Sequence, residues 1–77
     1  MDFPLAGLRP GMEAVVTKVC CREALRKRLA DFGLVKGTAV SCCYRSPDGG
    51  VTALRLRGTT IAVRTADLRH IAVRRLP

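Results

Sequence analysis

Arg28-Leu29-Ala30-Asp31-Phe32-Gly33-Leu34-Val35-Lys36-Gly37-Thr38 is the stretch on which the fold turns. It reads as the end of a helix, a reversal, and the start of a strand. Leu25, Leu29 and Phe32 fall at i, i+4 and i+7, so they share one face of a helix over residues 22–32. Gly33 follows the last periodic residue, where a left-handed C-cap leaves no room for a Cβ. Leu34 is then placed to fold back onto the helix, and Lys36-Gly37 turns the chain into an extended segment. Leu29, Phe32 and Leu34 are read as core, and Gly33 and Gly37 as turn geometry.

Outward from that segment the chain alternates rather than spirals. Glu13 to Val19 reads as a strand, with Val15, Thr17 and Val19 on one face and Ala14, Val16 and Lys18 on the other. Residues 38–45 read as a second strand, in which Val40, Cys42 and Tyr44 share the inward parity. Ser46-Pro47-Asp48-Gly49-Gly50 is a turn, because proline fixes φ and Asp and Gly tolerate the tight return. Residues 51–57 form a third strand with Leu54 and Leu56 inward. Gly58 links it to residues 59–64, where Ile61 and Val63 face in. A short turn at 65–68, capped by Thr65, precedes a last strand over 71–74 with Ile71 and Val73 inward. Before the first strand, residues 5–8 form a short helical turn ahead of Pro10-Gly11.

The expectation is a mainly β domain: a small, partly open five-stranded barrel with one inserted α-helix and a short N-terminal helical turn. Five brief strands with one-sided hydrophobicity bury their inner face economically only by nearly closing on themselves. The 77 residues fit one domain spanning 1–77. A chain of this size buries about 60% of its unfolded surface and has no volume for a deep catalytic cleft. Hydrophobic residues are 48% and aromatics only 4%, so the core is aliphatic.

Fourteen Lys and Arg stand against six Asp and Glu, a net charge of +8. That charge favours an anionic partner without naming it. Arg22, Arg26 and Lys27 fall off the apolar stripe of the helix and are the candidate partner-binding residues, set against the simpler reading of a solvated face. Arg55, Arg57, Arg64, Arg69, Arg74 and Arg75 face outward, for solubility and edge protection or to meet phosphates. Sequence-tolerant nucleic-acid binding draws on stacking aromatics, and with three aromatics in all this chain has few to offer.

The four cysteines come as adjacent pairs, Cys20-Cys21 and Cys42-Cys43. Neighbouring residues on a strand point to opposite faces, so each pair offers one ligand to a metal. Cys42 goes to the core. Cys20, Cys21, Cys43 and His70 are the candidate ligands for zinc or ferrous iron; the simpler reading is reduced, unligated thiols and a packed or solvated imidazole. No leader or membrane-spanning run is visible, which points to a cytosolic protein. No phosphate loop, zinc-hydrolase signature or Ser-His-Asp set is present, so no enzymatic role is expected.

Three blocks carry a family resemblance. They are Pro4-Leu5-Ala6-Gly7-Leu8-Arg9-Pro10-Gly11, the Arg28–Thr38 segment, and Leu56-Arg57-Gly58-Thr59-Thr60-Ile61-Ala62-Val63-Arg64 followed by Ala66 and Ile71-Ala72-Val73. They resemble the FeoA family, with its leading L-x-x-L-x-x-G, central R-L-x-x-[LF]-G-[LMI]-x-x-G-x-x-V and closing G-x-x-[IL]-A-[LV]-R patterns. The resemblance implies an SH3-like barrel and a small cytosolic accessory of bacterial ferrous iron uptake. Its implied partner is the cytosolic region of FeoB, a GTPase-coupled permease of the inner membrane, and a place at that membrane would come through the partner. A similar domain closes the C-terminus of iron-dependent repressors. The family supplies no catalytic residues. The doubled cysteines and the many arginines depart from its pattern. The rival readings are a basic nucleic-acid-binding barrel, a metal-responsive domain using the cysteines, and a homo-oligomer paired through a strand edge.

Overall fold

The computed structural model describes residues 1–76. Six strands form one antiparallel sheet: β1 (Asp2–Pro4), β2 (Glu13–Val19), β3 (Ala39–Arg45), β4 (Val51–Leu56), β5 (Thr59–Arg64) and β6 (Ile71–Arg75). Their order is β1-β6-β2-β3-β4-β5, so β1 and β5 are the open ends of the partly closed sheet. One α-helix, α1 (Glu23–Asp31), is inserted between β2 and β3, and 3-10 turns cover Leu5–Gly7 and Thr65–His70. The strand count is therefore six rather than five. The extra strand is three residues long and ends in Pro4, too short to display an alternation.

The inner face gathers one core. Leu5, Leu8, Ala14, Val16, Leu29, Leu34, Val40, Cys42, Leu54, Leu56, Ile61, Leu68, Ile71 and Val73 are buried in a single cluster. Leu25 and Val63 are half-buried against it. At about 25 cal/mol per Å² of apolar surface removed from water, this cluster is the main stabilising contribution in so small a chain.

The end of α1 is built by the hydrogen bonds that the quoted segment calls for. The Leu34 N–H donates to the Leu29 carbonyl at 2.9 Å and the Gly33 N–H to the Ala30 carbonyl at 2.8 Å. This pair is the Schellman arrangement. Gly33 takes φ +92°, and a Cβ there would sit 2.9 Å from the Arg57 Cδ. Thr38 adds a side-chain bond to the Gly33 carbonyl at 2.8 Å. The reversal delivers Leu34, 1% exposed, to the core, while Phe32 stays 51% exposed. Phe32 is thus not core: it occupies the helix C-cap, and the αL reversal immediately after it spends the inward position on Leu34.

Two β-bulges reset the alternation. In β2 the register with β6 shifts between Val16 and Lys18. Val16 is buried and Val19 packs on the core, while Lys18 is exposed. In β3 the register with β4 shifts between Cys42 and Tyr44. Cys42 stays inside, but Tyr44 turns out at 54% exposure, because an extra residue in one strand breaks strict two-residue periodicity. Thr65 does not cap the turn that follows β5. Its hydroxyl is instead 2.7 Å from that of Thr52, which is fully buried.

Candidate partner-binding surface

The helix and β2 meet across a groove. The Val16 N–H donates to the Thr38 carbonyl at 2.9 Å, and the Gly37 N–H donates to the Val16 carbonyl at 2.7 Å. These bonds clamp the α1–β3 loop beside β2. β2 itself pairs with β3 only through Glu13–Val15. Beyond Val16 that side of β2 has no strand partner among the described residues. The space left there is a groove of about 430 Å³ lined by Thr17, Lys18, Val19, Arg26, Leu34, Val35 and Lys36. Its apolar part comes from Val19, Leu34 and the exposed Val35, and three cations stand around it.

The three candidate cations of the helix do not act as a trio. Lys27 pairs with Glu23 one turn earlier at 3.4 Å. Arg26 lines the groove against β2. Arg22, the helix N-cap, lines a different cleft of about 320 Å³ with Cys20, Cys21, Leu25, Asp67 and His70. That second cleft brings together three of the four candidate ligands. The Cys20 N–H donates to the His70 carbonyl at 2.8 Å, so the two residues are tied by backbone. Cys43 is on β3, apart from them, and is exposed. Among the described residues no three His, Cys, Asp or Glu side chains are arranged to hold a metal ion.

The outward arginines divide by use. Arg64 bonds Asp67 at 3.2 Å and Arg74 bonds Asp2 at 3.1 Å. Arg57 takes φ +50° in the β4–β5 turn, beside Gly58 at +76°, and its side chain lies over Gly33. Two positive φ values in a two-residue hairpin loop are the type I′ geometry that matches sheet twist.

The residue that sequence reading missed is Arg45. Its Nη2 donates to the Leu8 carbonyl at 2.8 Å and its Nε to the Thr52 hydroxyl at 3.1 Å. The bulge after Cys42 turns it to that position, and no local signal marks it.

The FeoA domain model matches residues 3–75. The chain belongs to the FeoA family. A FeoA protein of Chlorobium tepidum is 31% identical, with a TM-score of 0.92 over 97% of this chain and 71% of its own. A FeoA-like protein of Clostridium acetobutylicum is 26% identical, with a TM-score of 0.88 over 99% and 88%. A zinc-complexed FeoA of Stenotrophomonas maltophilia, described as a prokaryotic SH3 domain protein, is 28% identical, with a TM-score of 0.79 over 92% and 88%. Among curated proteins no match is found. The FeoA barrel thus has the mainly β, SH3-like architecture expected of it. Among its described residues no helix is long and apolar enough to cross a membrane.

Proposed function

We propose that this FeoA chain is a non-catalytic accessory protein of bacterial ferrous iron uptake, working in the cytosol on the cytosolic region of a FeoB-type permease. The observation that carries the reading is the family match across residues 3–75. The Stenotrophomonas relative is described as a candidate ferrous iron transport activating factor, which supports the same role here. A rigid sheet with an inserted helix suits recognition, because sites held on packed elements cost little ordering on binding. The barrel biases the permease toward whichever state it binds more tightly, by an amount set by its differential affinity.

The test is a binding measurement between the purified chain and the permease's cytosolic region, in nucleotide-free, GDP-loaded and GTP-analogue-loaded forms. Saturable binding that differs among the three supports the role and gives the direction of regulation. Absence of binding in all three removes it.

A further inference from the structure

Resting on the reading that this chain recognises a protein, we infer that the groove between β2 and the α1–β3 loop takes an extended, acidic segment of the partner, anchored by an apolar side chain. Three independent features meet there. The first is an unpaired stretch of strand. β2 leaves β3 after Val15 and stays paired with β6 through Val19. A stretch paired on one side is a template for an added strand.

The second is the apolar floor. Val35 is 36% exposed although it sits between buried Leu34 and the loop that returns to β3. With Val19 and Leu34 it makes up the apolar lining of a groove whose volume suits one or two side chains. The third is charge. Lys18, Arg26 and Lys36 surround that floor, and none of them makes an ion pair among the described residues. No acid lines the groove, and Glu23, the acid one turn from Arg26 on the helix, pairs with Lys27 instead. Unpaired cations beside an apolar floor favour carboxylates in the occupant, with Arg26 able to grip one by two parallel hydrogen bonds.

The occupant is therefore a peptide in extended form, with Asp or Glu flanking Leu, Ile or Val. A basic or wholly polar segment does not fit.

The experiment uses the full chain and two probes. One is a fluorescein-labelled peptide of about eight residues alternating Glu and Leu, beside Lys/Leu and Glu/Ser counterparts. The other is the permease's cytosolic region. Arg26→Glu, Lys36→Glu and Val35→Asp alter exposed side chains only, and a thermal melt of each verifies folding. Arg55→Glu and Arg75→Glu, on β4 and β6 away from the groove, are the controls.

Fluorescence anisotropy is expected to show the Glu/Leu peptide bound well above both counterparts. Each groove variant is expected to weaken it about tenfold, and the controls to leave it within about twofold. No binding of the Glu/Leu peptide, equal binding of the Lys/Leu peptide, or groove variants that bind like the original chain overturns the inference.

The permease probe separates the two proposals. If the original chain binds the permease region and the groove variants do so equally well, the groove assignment fails while the accessory role stands. If the chain ignores the permease region but takes the Glu/Leu peptide through the groove, the role fails and the groove assignment stands. Phosphatidylglycerol vesicles and sedimentation of the chain alone complete the test. Vesicle binding or self-association that the same variants abolish, with no peptide binding, gives the groove to lipid or to a second copy and overturns the inference.

Discussion

The Arg45 guanidinium reaches across 37 positions of sequence to the carbonyl of Leu8, donating at 2.8 Å from Nη2 while its Nε donates to the Thr52 hydroxyl at 3.1 Å. Leu8 is fully buried, and the Thr52 hydroxyl is in turn paired with Thr65. One side chain thereby joins the N-terminal turn, β3, β4 and the turn after β5. Arg45→Met keeps the length and removes both donors. The buried Leu8 carbonyl then loses its partner, at a cost of about 1–3 kcal/mol. Urea denaturation of the two proteins checks this. Arg45→Lys restores one donor and is expected to recover only part of the loss, and equal stability of all three removes the role assigned to the guanidinium.

Gly33 carries a second prediction. Its φ of +92° is strained for any residue with a Cβ, and that Cβ would meet the Arg57 side chain at 2.9 Å. The arginine can swing away, so the backbone sets the cost. Gly33→Ala is expected to lower stability by about 1–2 kcal/mol. In the Gly33→Ala, Arg57→Ala double variant the backbone cost persists, and a full recovery there would show that the contact, not φ, was responsible.

Leu29 and Phe32 test the helix end as a pair. The heptad-like spacing puts both on one face, but Leu29 is 3% exposed and Phe32 51%. Leu29→Ala is expected to cost about 2–5 kcal/mol. Phe32→Ala is expected to cost about 0.5 kcal/mol. Thermal melts rank the two, and a Phe32→Ala loss approaching that of Leu29→Ala contradicts the observed exposure.

These contrasts show where the sequence speaks and where it falls silent. The limits of β2 and β5 and the position of α1 were legible because each is long enough to show its own period, and Gly33 was legible because its steric role is local. Tyr44 was misplaced because a bulge inserts one residue into β3, which no count of alternating residues detects. Phe32 was misplaced because the helical period was carried through the C-cap, whereas the αL reversal at Gly33, itself legible, gives the inward place to Leu34 alone. The groove was hidden for a different reason. Lys18 and Lys36 are 18 positions apart and become neighbours only through the Val16 hydrogen bonds to Gly37 and Thr38. Of the candidate cations on the helix, Arg26 alone lines it.

Asp2 gives a dependence on pH. Its carboxyl is held below its ordinary 3.8, chiefly by the Thr17 hydroxyl donating at 2.9 Å and further by the Arg74 guanidinium at 3.1 Å. Because the folded pKa is the lower one, the stabilisation is fully present above 3.8 and is lost as pH falls through the folded value. Asp2→Asn should therefore be less stable than the original chain at neutral pH, and the difference should vanish well below pH 3.8. A gap that persists unchanged into acid would place the effect in packing rather than in the charge. Thr17→Val should reproduce part of the neutral-pH loss, since it removes the leading donor and leaves Arg74 in place.

The cysteines are expected to separate by burial, although they come in adjacent pairs. Cys20 and Cys43 are exposed, Cys21 is half-buried, and Cys42 is 2% exposed with its Sγ 3.9 Å from the Tyr44 carbonyl. A thiol reagent reaches a sulfur only when the side chain is open to solvent, so the rate follows exposure when the thiols are otherwise alike. In the native chain Cys20 and Cys43 should label quickly and Cys21 more slowly, while Cys42 should label only through the unfolded fraction. Mass spectrometry of digested samples, quenched over time, assigns each site. Adding urea below the midpoint should accelerate Cys42 alone, in proportion to the unfolded fraction. Early labelling of Cys42 in native buffer would mean that β3 opens locally at its bulge, and would also remove Cys42 from the barrel core.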